Sequence, residues 1–121
     1  MLTNRTCCYF VFLLALLLLP TEVAAQYFRD RTLTGVGVFE TGGISVLLID
    51  ISGDKTQMAA CATTGRFAID SRSAAYKDIV ALVMTAYARG EKQVEINARE
   101  TCHSWGNAQD FFGIKFGSMP W

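Results

Sequence analysis

Two cysteines, Cys61 and Cys102, enclose a segment whose pattern changes from strand to helix to strand, and this order restricts the fold more than any other feature. The small residues of QMAACAT predict a strand over 57–63. Apolar residues spaced three and four apart then predict an amphipathic helix that ends near Arg89. Strict alternation of apolar and polar residues predicts a half-buried strand over 92–99. The sequence therefore predicts one helix packed on a sheet.

The predicted helix has signals at both ends. Gly90 is a typical C-terminal stop, because glycine adopts the left-handed conformation there. Three residues before the helix have oxygens that suit an N-cap, namely Asp70, Ser71 and Ser73. The apolar stripe is expected to centre on Tyr76, Val80, Val83 and Tyr87, and to be widened by Ile79, Met84 and Ala86.

The remaining strands are read from alternation and turn residues. Strands are predicted over 33–40 and 44–51, joined by a hairpin turn at Thr41-Gly42-Gly43, with a last strand over 111–116. Residues 26–32 include three charged and two aromatic side chains, and we expect them to run along the surface. The result is mainly β with one helix: five strands, with the helix between the third and fourth, which is the element order of an OB-fold barrel. An α+β roll, with the helix over an antiparallel sheet, is the alternative.

The N-terminus has the order of a secretory signal peptide. Arg5 precedes an apolar run of 13 residues over 7–19, Pro20 breaks it, and Val23-Ala24-Ala25 offers small residues before a cut at Gln26. A membrane anchor is the competing interpretation, but the run is shorter than the roughly 20 apolar residues that span a bilayer. We expect residues 1–25 to be removed, which leaves a single domain over 26–121, either secreted or periplasmic.

Charge and cysteine content exclude some functions. The chain has 11 basic and 11 acidic residues and no basic cluster, so the positive stripe that nucleic-acid binding needs is missing. An even pair of cysteines in an exported domain indicates a Cys61–Cys102 disulfide. A metal site formed by both thiolates with His103 is the competing interpretation, but it lacks a CxxC spacing and a fourth ligand. We expect no metal and no cofactor.

Catalysis finds little support in the residues. His103 is the only histidine, and Ser104 adjoins it, but adjacent residues rarely point at each other. The carboxylates are scattered through turns and strand faces, with no pairing visible from sequence. We therefore expect a protein that is not an enzyme. Aromatic residues outside the helix either stack on sugars or a partner, or plug the ends of the barrel: Tyr27, Phe28, Trp105, Phe111, Phe112 and Trp121.

The runs ACATTGRFAID, SAAYKDIVALVMTAYARGEKQVEI, TC and FFGIKF together resemble the binding (B) subunits of pertussis-like and subtilase-like bacterial toxins, and small exported proteobacterial proteins of the same plan. The resemblance covers residues 36–117. It implies an OB-fold, export, the same disulfide, and, as in the toxins, a ring of five subunits that binds sialylated glycans.

One departure from the toxin pattern concerns the ligand. The toxin subunits hold sialic acid with a serine just after the first strand, and the matching stretch here is Thr41-Gly42-Gly43, without a serine. We expect a ligand site at Glu40, Thr41 and Gly42, with the 103–112 loop as the second place to look. The expected function is binding of a glycan or a protein at the cell surface. The alternative is a small envelope protein with a structural or inhibitory role and no sugar ligand.

Overall fold

A computed structural model describes residues 25–121, and the proposed signal peptide lies outside this range except for Ala25. It contains six strands and one helix: Ala25–Arg31 (β1), Leu33–Thr41 (β2), Ile44–Ile51 (β3), Phe67–Asp70 (β4), Tyr76–Arg89 (α1), Val94–Arg99 (β5) and Gln109–Lys115 (β6). The fold is thus mainly β with a single helix, as the sequence predicts.

The six strands form one sheet in the order β1-β5-β6-β4-β3-β2. All pairs are antiparallel except β4 with β6, which are parallel. The edge strands β1 and β2 are consecutive in the chain and only Thr32 separates them. The two edges do not pair with each other, so the expected closed barrel of five strands is not confirmed. The helix follows the fourth strand, β4, rather than the third.

The expectation for residues 26–32 was wrong, because they form most of β1. Phe28 is buried and contacts Phe67 edge to face, at 4.9 Å between ring centroids. The charges that suggested a surface segment lie on the other side of the strand or at its end, where Arg31 donates to the carbonyl oxygens of Ser52 and Asp54. One inward aromatic residue is enough to fix the strand to the core.

The strand predicted over 57–63 is also absent. This segment is a series of turns, closed by backbone hydrogen bonds such as Ala62 N–H to Ala59 O. The strand that follows β3 is instead β4, in which Phe67 and Ile69 are buried. Small side chains bury little apolar area, so the alanines of 57–63 could not compete with the larger residues that follow them.

The helix ends where the sequence predicts but begins differently. Gly90 has φ 62° and donates its backbone N–H to the last turn, as expected of a C-terminal stop. At the other end the N-cap is Ala75, which makes no side-chain cap bond, so none of the three predicted caps, Asp70, Ser71 and Ser73, fills that role.

The face that α1 buries follows most of the predicted stripe, since Tyr76 and Val80 also pack against the core, partly buried. Ile79, Val83 and Ala86 are buried, whereas Tyr87 is 48% exposed. These three residues join the main core, which lies between the helix and the inner face of the sheet.

The disulfide between Cys61 and Cys102 is formed, with 6.2 Å between the Cα atoms. Within residues 25–121, no helix is both long and apolar enough to cross a membrane.

Candidate functional site

An open groove of about 590 Å³ lies where β4 and β5 end and β6 begins, against the loop of residues 100–108. Its walls combine charged, hydroxyl and aromatic side chains: Ile69, Asp70, Arg72, Ser73, Arg99, Thr101, His103, Ser104, Asp110, Phe111 and Phe112. Such a mixture of polar groups and aromatic rings is typical of sites that bind small polar ligands.

One wall of the groove is built on Asp70, the last residue of β4. Its carboxylate accepts from the Arg72 side chain at 3.0 and 2.9 Å, from the Arg72 backbone N–H at 2.9 Å and from the Ser104 hydroxyl at 2.9 Å. The Arg72 guanidinium is the chief cause that lowers the pKa of Asp70 to about 2. Asp70 is therefore a charged anchor for this wall, and Arg72 remains largely exposed beside it.

A second carboxylate shapes the loop. Asp110 accepts from the Thr101 hydroxyl at 2.6 Å and from the backbone N–H groups of His103 and Ser104 at 2.9 Å each. The Ser104 hydroxyl donates to Asp70, so the pair formed by His103 and Ser104 is not arranged for nucleophilic catalysis. The exposed His103 ring borders the groove instead.

Arg99 and Phe112 form the other wall. The Arg99 guanidinium carbon lies 4.4 Å from the centroid of the Phe112 ring, a cation–π contact. Arg99 is exposed, and within residues 25–121 no carboxylate lies within 4.0 Å of its nitrogens. The groove therefore presents a cation that no acidic side chain neutralises. The alternation of 92–99 assigns Arg99 to the outer face, which was the one sequence signal for this role.

The residues predicted as the ligand site, Glu40, Thr41 and Gly42, lie at the turn between β2 and β3 and are exposed. They do not line the groove, but they lie at the same end of the sheet. Two hydrogen bonds join Ser45, just after the turn, to Ser71 beside the groove. The Ser71 N–H donates to the Ser45 carbonyl oxygen, and the Ser45 N–H donates to the Ser71 hydroxyl oxygen. Phe39, just before the turn, contacts Trp105 edge to face at 5.4 Å. The turn and the 103–112 loop, both proposed from sequence, are thus neighbours.

The other aromatic candidates divide by burial. Phe28 and Phe111 belong to the core, so of the two interpretations packing inside the fold applies to them and stacking on a ligand does not. Tyr27 and Trp121 are 42% and 53% exposed and do not line the groove. In the described part of the chain, no three residues among histidine, cysteine, aspartate and glutamate come together as a metal site would require.

No protein-family model matches the sequence, and no curated protein matches it either. Solved structures do. A variant of the PltB homopentamer of Salmonella typhi superimposes with a TM-score of 0.60 at 13% identity, over 78% of this chain and 86% of PltB. A second PltB homopentamer variant, solved with Neu5Ac-alpha-2-3-Gal-beta-1-4-GlcNAc glycans, gives 0.58 at 12% identity, over 74% and 83%. At the level of fold, the resemblance to toxin binding subunits is confirmed: the chain has the fold of PltB.

Proposed function

We propose that this chain is an exported, non-enzymatic binding domain that takes an acidic glycan in the groove between Arg72 and Phe112. The observation that carries the proposal is Arg99, a cation that has no carboxylate partner among residues 25–121 and lies on an aromatic ring in the groove wall. The fold shared with PltB, one structure of which contains a sialylated glycan, supports the same ligand class.

The chemistry of the groove suits such a ligand. A guanidinium binds a carboxylate through two parallel hydrogen bonds, so Arg99 is the residue to receive the acidic group of a sialylated sugar. Phe112 offers an apolar surface to the C–H face of a sugar ring. Arg72 is already bound to Asp70, so it contributes positive potential more than a free donor.

The turn at Glu40, Thr41 and Gly42 is proposed as the outer edge of the same site. Thr41 offers a hydroxyl and Glu40 a carboxylate to sugar hydroxyls. Gly42 has φ 57°, and the space where a side chain would begin is free of other atoms to a distance of 4 Å, so the backbone is open to a ligand. A glycan longer than one sugar would extend from Arg99 along the loop towards this turn.

Export and assembly complete the proposal. The Cys61–Cys102 disulfide supports an oxidising compartment, outside the cytoplasm. The PltB structures are homopentamers, so a homo-oligomer, with five copies by resemblance, is the proposed assembly. Size-exclusion chromatography with light scattering on the exported protein tests it, and a monomer at all accessible concentrations would contradict it.

The binding experiment compares sialylated glycans with their desialylated counterparts on an array. Wild-type protein should prefer the acidic member of each pair. Arg99→Ala should weaken that binding by about 10-fold or more, because hydrogen bonds to charged groups contribute roughly 1.5–3 kcal/mol. Thr41→Ala removes one neutral hydrogen bond, and should weaken binding by about 5-fold, or roughly 1 kcal/mol.

The matched control is Arg89→Ala, which removes an exposed arginine at the far end of α1, paired there with Glu91. It should bind as wild type. If Arg99→Ala and Arg89→Ala bind equally well, the ligand lies elsewhere. If wild type binds no glycan, the envelope protein with a structural or inhibitory role becomes the better account.

A further inference from the structure

The outer face of β1, β5 and β6 carries a second polar cluster, which begins two residues before Arg99 on the same face of β5. Its centre is Asn97, which pairs across the sheet with Tyr27 of β1 and Gly113 of β6. Glu95, two residues earlier on the same face, pairs with Lys115. These side chains point away from the core, because their neighbours Ile96 and Ile114 point into it.

Two acceptors in this cluster are buried without a donor. Glu95 is 8% exposed, and its Oε2 lies 3.3 Å from Arg29 Nε and 3.5 Å from Lys115 Nζ. Its other oxygen, Oε1, and Asn97 Oδ1 have no hydrogen-bond partner within residues 25–121. Leaving a buried acceptor unpaired costs roughly 1–3 kcal/mol, so unpaired groups in native proteins call for an explanation.

The C-terminal residue covers this cluster. A Cβ atom on Gly113 would lie 3.1 Å from Asn97 Cβ and 3.3 Å from Trp121 Cη2, so the indole ring rests on the bare backbone beside Asn97. Lys115 donates from Nζ to the carbonyl oxygen of Met119 and lies 5.8 Å from the Trp121 ring centroid. Trp121 is still 53% exposed. The cover is thus a flat ring held by few contacts.

We propose that this face is a second binding site, closed by Trp121, for a neutral polyhydroxylated ring such as an uncharged sugar. Two unpaired acceptors require a ligand that donates hydrogen bonds, which hydroxyl groups do. The oxygens of Glu95 and Asn97 would repel an anion. The positive charges of Arg29 and Lys115 would repel a cation. Gly113 provides a floor on which a flat ring fits, as the indole already demonstrates.

Binding at this site requires exchange of one ring for another. When Trp121 moves aside, the sugar ring occupies the floor over Gly113, and its hydroxyls donate to Glu95 Oε1 and Asn97 Oδ1. Tyr27, with the Arg29 guanidinium 5.0 Å from its ring centroid, forms the side wall next to Asn97. The tail therefore competes with the ligand and weakens its apparent affinity.

The test uses the full chain and neutral sugars as probes: glucose, galactose, N-acetylglucosamine and lactose, titrated by nuclear magnetic resonance. Trp121→Ala should bind at least one of them about five-fold more tightly than wild type, because removing a competing closed state restores the intrinsic affinity. Shifts should map to the Asn97 side-chain amide and the Gly113 backbone amide. Adding Asn97→Ala to Trp121→Ala should abolish the gain while circular dichroism shows the fold intact.

The matched control is Met119→Ala, which alters an exposed side chain of the same tail and keeps the carbonyl that Lys115 uses. It should bind as wild type. If Trp121→Ala gains no affinity for any of the four sugars, the proposal is wrong, and a trapped water pairs the two acceptors. This experiment distinguishes the second site from the groove, because Arg99→Ala should leave the affinity gain of Trp121→Ala unchanged. A gain that disappears with Arg99→Ala would assign it to the groove and overturn the second site.

Discussion

At the scale of single residues, Asp70 joins three parts of the chain through one carboxylate. It ends β4, it fixes Arg72 in the turn towards α1, and it holds the 100–108 loop through the Ser104 hydroxyl. These bonds favour the ionised form, in which both oxygens accept from charged or N–H and O–H donors. The groove wall is therefore coupled to the charge of a single side chain.

That coupling gives stability a defined dependence on pH. The pKa of Asp70 is lowered from 3.8 to about 2 in the folded protein, so its contribution is complete above 3.8 and is lost as pH falls towards 2. Asp70→Asn should be less stable than wild type near neutral pH, and the difference should shrink through this window. Urea unfolding at a series of pH values measures it. The stability of Asp30→Asn, at an exposed position, should follow that of wild type at every pH. A stability difference between Asp70→Asn and wild type that does not change with pH would contradict the coupling.

Gln109 makes a second connection of this kind, inside the molecule. Although polar, it is fully buried: its Oε1 accepts from the Ala59 N–H at 2.9 Å and its Nε2 donates to Gln26 at 2.6 Å. Gln109→Leu would remove both bonds and leave the part-buried Ala59 N–H unpaired, which costs roughly 1–3 kcal/mol. Denaturant unfolding should show this loss, whereas Gln93→Leu, on an exposed position, should change stability little. Equal values for the two variants would mean that the network adds no stability.

At the scale of elements, the helix buries Ile79, Val83 and Ala86, and Tyr87 is the residue of the predicted stripe's centre that lies outside this face. Tyrosine is a poor guide to the edge of a buried face, because its ring suits apolar and solvated surroundings alike.

The two interpretations of this helix make opposite predictions for Tyr87. Val83→Asp should prevent folding, because an unpaired buried carboxylate costs more than a small domain's whole stability. Tyr87→Asp should fold, since its position is 48% exposed, whereas a stripe that included Tyr87 would forbid it. Circular dichroism decides the matter, and an unfolded Tyr87→Asp would restore the stripe.

Other elements show why sequence patterns succeed or fail here. The strand 92–99 and the β2–β3 hairpin were predictable because alternation and glycine turns are local signals. β1 was not, because only Phe28 marks its inner face and its pairing partner, β5, lies about seventy residues later, as the register of Phe28 with Ile96 shows. The segment 57–63 has strand-like composition, but its backbone is held by turns and by Gln109, which no local pattern reveals.

At the scale of the whole molecule, the disulfide compensates for the missing strand. Cys61 lies in the turns of 57–65 and Cys102 in the loop that borders the groove, with a sequence separation of 41. The bridge therefore ties a segment without strand pairing to the end of β5. The groove residues themselves were only partly predictable: the 103–112 loop was proposed, but Arg99 and Asp70 come to it through tertiary packing.

Opening the bridge should loosen this end of the molecule. Cys102→Ala should lower the free energy of unfolding by up to about 4 kcal/mol, the chain-entropy estimate for a loop of this length. Exported wild-type protein should show no free thiol when denatured without reductant. Two reactive thiols in that protein would contradict the oxidising compartment, and an unchanged melting temperature in the variant would contradict the structural role.

Gln26 gives the proposed export a chemical consequence. A chain cut before this residue begins with glutamine, which ordinarily cyclises to pyroglutamate and releases ammonia when its α-amine attacks its own side-chain amide. Here the amide nitrogen donates to Gln57 O and to Glu100, and the amide oxygen accepts from Gln109. The ring can close only after these bonds break. Slow formation of pyroglutamate would then report how often the Gln26 side chain leaves these three partners.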